Sequence, residues 1–519
     1  MDIPLFISAL AATVGGAFAL GRHLMMLQQS SYFLSRYAKW LKGAFALRSV
    51  VALILLAAFS AGTVFDIKWL APVSAALSLI RIFTSFSDKK KVIKKLVVTA
   101  RVKRLYVTCA VLAASGLALG LALSPLFFLI NAVLSFIIPL AVTAASVINK
   151  PLEFAISKHF INDAKRMLRE HKGLTVIGIT GSYGKTGTKF ILSRILSEKF
   201  NVLATPESFN TTMGVVRTVR EKLTAPTEIF IAEMGAKKKG DIREICDLCE
   251  PKLGIVTSVG PQHLESFGSI ENVLRTKLEL ADSVTANGGR IYLNRDNEYL
   301  APECERYGAS GFGESEAADV RAENISYGAN GLTFDIVKGD IRFSVHTSLL
   351  GRHSALNITA AAALALDLGE TPEQIAFAVS TLRPVEHRLQ MRPYINGSVL
   401  IDDAYNANPS GSLAAVDVLA HFDGMKKIIV TPGLVELGER EYEYNKALGK
   451  AAGEVCDTVI LIGKKRSVPL ADGVKETALP PDSLIVVDRF ADAAALLAKM
   501  CDSNTVVLIE NDLPDNYAG

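Results

Sequence analysis

Residues 174–188, L-T-V-I-G-I-T-G-S-Y-G-K-T-G-T, constrain this chain more than any other stretch. An apolar, β-branched run ending at Ile179 breaks into a turn containing Gly181 and Gly184. Lys185 and Thr186 follow, and Lys189-Phe190-Ile191-Leu192 opens a helical pattern. Strand, glycine loop and helix in that order let successive backbone N–H groups and a helix N-terminus cradle phosphates. In such a loop the lysine reaches the β- and γ-phosphates and the Ser/Thr hydroxyl holds Mg²⁺. The spacing departs from G-x-x-x-x-G-K-[ST]. Ile179 stands where the first glycine would be, and the glycine comes at Gly181, so the loop is shorter. An ordinary βα turn is the competing reading of this stretch by itself.

A chain of 519 residues calls for two to four domains. Its formal net charge of +4 conceals a split: residues 1–150 carry about +13 and the remainder about −9. Apolar segments recur at 3–20, 50–65, 69–80, 105–123 and 126–148. A spanning helix needs about 20 apolar residues, which the first, fourth and fifth approach or supply. The second and third are short and separated by Asp66 and Lys68. Arg22, Arg36, Lys39, Lys42 and Arg48 lie between the first two segments, and Lys89 to Arg104 between the third and fourth, whereas the loops around Asp66 and Ser124-Pro125 are nearly uncharged. The positive-inside rule then predicts an outside N-terminus and about five spans in the plasma membrane, with the lipid bilayer as partner and all that follows residue 150 in the cytoplasm. The density of basic loops argues against buried helices of a soluble domain. No cleavable secretion signal is expected, because Gly21-Arg22-His23 follows the first apolar segment. Of six cysteines, Cys246 and Cys249 form the one close pair, with no second pair or histidines at ligand spacing, so reduced cytoplasmic thiols are expected. Residues 151–172 have apolar positions near helical spacing and predict an amphipathic connecting helix.

Beyond the glycine loop, strand-like runs at 201–204, 228–233, 253–259 and 290–294 alternate with helical ones. That alternation predicts a mainly parallel, doubly wound sheet with ligands at the C-terminal strand ends. Glu233, His263, Asn294 and Asp296 fall at or just past such ends. Carboxylate, imidazole and hydroxyl around phosphates make a plausible Mg²⁺ shell, although read alone His263 is a polar loop residue. From about residue 387 a second alternating region has strands at 399–401, 427–430, 458–462 and 506–509 and helices at 412–421, 442–456 and 491–500. The expected fold is an α-helical membrane region (1–150), a connecting helix (151–173), a P-loop doubly wound α/β ATP-binding domain (174–386) and a Rossmann-like α/β domain (387–519).

Taken together the motifs resemble the Mur ligase family of ATP-dependent amide-forming enzymes of peptidoglycan precursor synthesis. They are T-G-S-Y-G-K-T (180–186), P-E-S-F-N-T-T-M-G (206–214), A-E-M-G-A (232–236), G-P-Q-H-L-E-S-F-G (260–268), R-T-K-L-E (275–279), L-N-R-D-N (293–297), G-x-H-S-A-L-N (351–357), D-D-A-Y-N-A-N-P (402–409) and V-E-L-G-E (435–439). They run in family order, and the short glycine loop is the family's form. The resemblance implies that Thr180, Gly181, Ser182, Gly184, Lys185, Thr186, Asn294, Asn357, Arg388 and Asp403 bind ATP. It implies that Thr186, Glu233, His263 and Lys277 hold Mg²⁺, with Lys277 as a carbamate, and that Lys185, Lys277, His263 and Arg388 are catalytic. Asn210, Thr211, Thr212, Tyr405, Asn406, Asn408 and Glu436 are the implied substrate contacts; for the asparagines before Pro409, turn chemistry is an equal reading. Read without the family, Lys277 is a solvated helix lysine.

The implied reaction joins D-alanyl-D-alanine to a UDP-muramoyl tripeptide through an acyl phosphate, and no nucleic-acid partner is expected. Two departures bear on substrate. The family's N-terminal UDP-binding domain has no counterpart, the apolar region standing in its place. The basic, glycine-bearing segment near the family's C-terminus is replaced by Ile509-Glu510-Asn511-Asp512. A folylpolyglutamate-like or other ligase with a lipid-linked acceptor, and an ATP-driven transporter, are the rival readings. The transporter is disfavoured because the spans hold few charges beyond Arg81.

Overall fold

A computed structural model describes residues 3–30, 32–44, 96–122, 138–206, 209–261, 264–328, 331–384, 387–404, 408–435 and 437–511. The chain divides into two units, Met1–His159 and Phe160–Gly519.

The described part of the first unit is helical: Ile3–Gln29, Leu34–Ala44, Ala100–Ala122 and the start of Ile138–Glu170. Leu20, Leu24, Leu27, Tyr37, Val102, Leu105 and Val142 form its core. His23 Nδ1 meets the buried Tyr37 hydroxyl at 2.8 Å, and Arg104 forms a two-pronged ion pair with Glu153. Among the described residues one segment, Ala100–Leu119, is long and apolar enough to cross a membrane by length and composition. The segments expected to span at 50–65 and 69–80 lie outside the described residues. The described part of the fifth expected span, 138–148, and the connecting helix belong to one helix, Ile138–Glu170, with Pro151 inside it; residues 126–137 lie outside the described residues. Proline removes a helix hydrogen bond and crowds the carbonyl four residues back. Here Pro151 and Val147 both lie on an exposed face, so no buried partner is left stranded.

The second unit holds two sheets. The first has nine strands: β1 (Thr175–Thr180), β2 (Val202–Ala204), β3 (Ile229–Glu233), β4 (Leu253–Val256), β5 (Arg290–Asn294), β6 (Ser310–Gly313), β7 (Val320–Gly328), β8 (Gly331–Lys338) and β9 (Ile341–Thr347), in the order β2-β3-β1-β4-β5-β6-β7-β8-β9. Strands β1 to β7 run parallel and β8 and β9 add an antiparallel edge, so the sheet is mixed, though mainly parallel. Parallel strands covered on both faces read as continuous apolar runs. In β1, Ile177 and Ile179 pack with the helices Lys185–Leu196 and Arg352–Asp367, whereas Val176 faces the helices Thr212–Lys222, Asp241–Cys249 and Ile270–Ala286. At Gly178 a Cβ would lie 2.6 Å from Leu280 Cδ1 and 2.9 Å from Met234 Cε, so the glycine lets helix and sheet approach closely without shifting those side chains.

The second sheet contains β10 (Gln390–Pro393), β11 (Val399–Asp403), β12 (Lys426–Thr431), β13 (Thr458–Ile462), β14 (Leu484–Val487) and β15 (Thr505–Glu510), in the order β10-β11-β15-β12-β13-β14. All but β10 are parallel. Strand β15, last in the chain, thus comes to lie between β11 and β12, bringing Glu510 beside Asp403.

Candidate active site

The glycine loop is pinned from below by the end of β4. The amide of Ser182 donates to the Ser258 carbonyl (2.8 Å), that of Tyr183 to Ser258 Oγ (2.9 Å), and Thr257 Oγ1 donates to the Tyr183 carbonyl. Gly181 (φ 150°) could not carry a side chain, because a Cβ there would lie 2.1 Å from Thr257 Oγ1. Gly184 (φ 81°) opens the helix Lys185–Leu196 without a side-chain cap, and no acidic residue stands in the first turn. The first-turn N–H groups therefore face an anion site without a built-in competitor.

Buried Glu233, at the end of β3, gathers this helix. Its Oε1 accepts from Thr186 Oγ1 (3.0 Å) and from Asn210 Nδ2 (3.1 Å), and its Oε2 lies 3.0 Å from Lys189 Nζ. Lys189 and Glu233 are both buried, so neither charge is screened by water. Removing one member of such a pair costs about 3–5 kcal/mol, because the other is left as an uncompensated buried charge. Lys189 is the functional residue that sequence reasoning missed. A signal was present: it falls on the same helical stripe as Leu192 and Leu196, i+3 and i+7 from it, both buried.

The site is otherwise cationic. Lys185 Nζ donates to the carbonyls of Gly181 (2.6 Å) and Ser182 (3.1 Å). Part of its surface is open, yet the enclosing cleft pushes its ammonium down to about 8 by desolvation, with Glu233 opposing the change and Arg388 reinforcing it. Lys277, on the helix Ile270–Ala286, is 3% exposed and not the solvated lysine of the bland reading. Burial, then the Lys185 charge, holds its amine well below the usual lysine range. Glu279, two residues on, accepts from the amides of Gly240 and Arg243 and so fastens that helix to Asp241–Cys249. Cys246 and Cys249 are buried free thiols, raised by burial.

Arg388 enters from the linker ahead of the second sheet. Its neighbours His387 (φ 59°) and Leu389 (φ 43°) both adopt the left-handed conformation. Each costs about 1–3 kcal/mol unless the surroundings enforce it. The enforcing groups are carboxylates of β11: Asp402 Oδ2 pairs with His387 Nδ1 and Arg392 (2.9 Å each), and Asp403 Oδ1 accepts from the Leu389 amide (3.0 Å).

Other expected site residues sit as follows. The Thr180 hydroxyl donates to the Met234 carbonyl, behind the loop (2.8 Å). The Asn294 amide donates to the Thr257 carbonyl (3.0 Å) and its oxygen accepts from the Asp296 amide, so it braces the strand under the loop. Asn357 Oδ1 accepts from Thr188 (3.1 Å), and a Cβ on Gly184 would lie 2.7 Å from the same oxygen. Asn210 joins the Glu233 network; Thr211 caps the helix Thr212–Lys222 through Gly214 N; Asn408 caps Pro409–Ala420 through Gly411 N. His263, Tyr405, Asn406 and Glu436 lie outside the described residues. Among the described residues no cluster of three His, Cys, Asp or Glu side chains forms a metal cage. Thr186 and Glu233 bring a hydroxyl and a carboxylate oxygen together, which fits Mg²⁺, an ion that takes few protein oxygens and fills its shell with water and substrate phosphates.

The fold and this site define a glycine-loop, nucleotide-type α/β domain followed by a Rossmann-like domain that supplies an arginine. Residues 179–365 match the Mur ligase middle domain, and residues 387–510 the Mur ligase, glutamate ligase domain. The chain belongs to the Mur ligase family. It is 33% identical over 310 residues to the UDP-N-acetylmuramoyl-tripeptide–D-alanyl-D-alanine ligase of Mycobacterium tuberculosis, a match covering 57% of this chain and 60% of that protein. The chain thus spans less than two thirds of that relative's length. The Mycobacterium leprae protein of the same name is 30% identical over 375 residues, covering 65% of this chain and 71% of its own. Among solved structures, the MurF ligase of Thermotoga maritima in complex with ADP aligns at a TM-score of 0.62 and 30% identity, covering 69% of this chain and 80% of that one.

Proposed function

We propose that this protein is an ATP-dependent amide ligase that joins D-alanyl-D-alanine to a UDP-muramoyl tripeptide. The observation that carries the reading is the convergence of Lys185, Lys277 and Arg388 with the Thr186–Glu233 pair at an uncapped helix N-terminus, an environment built for a polyphosphate. An acceptor carboxylate attacks the γ-phosphorus of ATP, the bond to ADP breaks, and an acyl phosphate forms. The dipeptide amine then attacks the acyl carbon, loses a proton, and expels inorganic phosphate. Lys185 and the loop amides bind and orient the phosphates, and Arg388 adds charge from the second domain. Mg²⁺ held by Thr186 and Glu233 would supply further charge neutralisation. A neutral lysine amine is the form that takes up CO₂; burial moves Lys277 toward that form, and a carbamate there would place an anion beside Lys185.

We infer further that residues 1–150 anchor the enzyme in the plasma membrane with its catalytic domains in the cytoplasm. Support comes from the basic loops of the sequence and from Val107, Val111, Leu119 and Leu121, exposed apolar side chains on Ala100–Ala122. That apolar unit also favours a second reading, the same chemistry on a lipid-linked acceptor. Cysteines placed at Ser124 and Ser87 test the topology: only position 124 should label from outside intact cells.

Full-length protein incubated with ATP, Mg²⁺, D-alanyl-D-alanine and either acceptor should yield an amide product by mass spectrometry together with ADP and phosphate. ATP turnover that needs neither amine nor carboxylate would refute the ligase. Lys277→Ala should be nearly inactive and partly restored by acetate, and Lys277→Arg should stay inactive, since guanidinium forms no carbamate. An active Lys277→Arg enzyme removes the carbamate and leaves the ligase standing.

A further inference from the structure

We propose that Asp403 and Glu510 share a single proton, and that this pair, acting through Leu389, holds Arg388 at the nucleotide site. The proposal rests on the reading of Arg388 given above and adds Glu510 as a positioning residue that touches no reacting group.

Asp403 ends β11 and Glu510 ends β15, and the two are partners in parallel register. Neighbouring strands lie about 4.8 Å apart, and partnered side chains leave the sheet on the same face. That register sets the two carboxyl groups within reach of a hydrogen bond to each other. Ionised carboxylates are acceptors only, so the contact is a hydrogen bond only when one of them carries a proton. Glu510 is fully buried; Ser412 Oγ donates to its Oε1, and Oε2 receives no donor from the described residues, as suits an oxygen that itself donates. Asp403, partly buried, directs Oδ1 to the Leu389 amide at 3.0 Å.

Among the described residues, the elements packed around Glu510 offer no cation to neutralise it. Helix Pro409–Ala420 presents the neutral Ser412, and β12, its other strand neighbour, ends in the neutral Thr431. On the far side of Asp403, Asp402 is engaged with His387 and Arg392, and Arg388 favours the ionised form of Asp403. Burial and the Asp403 charge hold the Glu510 carboxyl well above the usual carboxylate range. With one proton the pair carries one negative charge, and Asp403 keeps an oxygen on Leu389. Losing that proton sets two like charges side by side without water. Asp403 then swings away, and the turn flanked by the left-handed His387 and Leu389 loses its restraint.

Glu510→Gln keeps the shape and can donate to Asp403, but has no proton to lose. Mg²⁺–nucleotide affinity of the full chain, measured by calorimetry between about pH 6 and 9.5, gives the readout as a ratio of variant to wild type, because Lys185 titrates in both. The ratio should be near one at the acid end and rise to about tenfold at the alkaline end, the effect of roughly one pH unit of ionisation. A ratio that stays constant across the range overturns the proposal. Infrared spectra of wild type near neutral pH should show a protonated-carboxyl band that shifts with ¹³C-labelled aspartate or glutamate; its absence also overturns the proposal, without recourse to any variant. Arg388→Ala separates the two readings. If its nucleotide affinity is unchanged, the role of Arg388 fails, and with it the consequence for positioning, while the infrared band still reports the shared proton.

Discussion

Glu233 and Glu510 are buried glutamates, each at the C-terminal end of a parallel strand, one in each sheet of the second unit, and they are neutralised in opposite ways. Glu233 has an ammonium, Lys189, at 3.0 Å. Glu510 has a neighbouring acid and a proton. The consequences differ. A carboxylate neutralised by a cation stays an anion, able to accept from Thr186 and Asn210 and to turn one oxygen toward a metal. A carboxyl neutralised by a proton becomes a donor and acts as a strut. The first arrangement suits the phosphate side of the cleft, where charge must persist. The second suits the arm that brings Arg388 to that cleft.

The comparison breaks or sharpens most clearly on Glu233→Gln. The substitution strands the Lys189 ammonium in the core and takes an anion from the loop. It should cost about 3–5 kcal/mol of stability and lower turnover by about 10²–10³. Glu510→Gln, by contrast, should leave stability at neutral pH unchanged or raised, since the site already holds a neutral carboxyl. Denaturant midpoints of the two variants decide the matter: equal losses would mean that both glutamates are held the same way. Lys189→Met should cost nearly as much stability as Glu233→Gln. The double variant Lys189→Met/Glu233→Gln should recover most of that loss without regaining turnover, a coupling at least as large as the single-variant cost of about 3–5 kcal/mol. Additive losses in that cycle would show that Lys189 and Glu233 do not act as a pair.

This contrast was half legible in the sequence. The glycine loop, the strand ending in Glu233 and the run ending at Ile509 all follow from apolar runs meeting polar residues, because strands covered on both faces advertise themselves. Lys189 did not: a lysine one turn into a helix reads as solvated unless its place on the buried stripe is weighed against Leu192 and Leu196. The edge β7 to β9 was missed because its strands alternate buried residues with Arg321, Glu323, Asp335 and Arg342, whose ion pairs, one within β7 and two between strands, resemble a charged loop in one dimension. Pro151 was read as a helix boundary, although a proline on an exposed face need not end a helix. The nearness of Asp403 to Glu510 had no local signal at all, since 107 residues separate two strands that become neighbours only when β15 inserts between β11 and β12.

The smallest expected effect concerns Asn408, which the sequence offered equally as a substrate contact and as turn chemistry. Its Oδ1 accepts from the Gly411 amide at 2.9 Å, satisfying one of the orphan donors of the helix Pro409–Ala420. A Cβ on residue 411 would lie 2.8 Å from Asn408 Nδ2, so the glycine makes room for the cap. The same helix carries Ser412, whose hydroxyl lies on Glu510, and the cap therefore supports the proton-held strut from one turn away. Asn408→Ala should cost about 1 kcal/mol, and Asn408→Ser, which keeps a cap, much less than that. If capping is the whole role, Asn408→Ser should leave both turnover and the KM for the amine unchanged. If the KM rises about fivefold or more while the melting temperature of Asn408→Ser stays put, Asn408 belongs to the substrate site. The helix end would then be held by a residue that serves both purposes, and the strut at Glu510 would be exposed to whatever occupies the amine site.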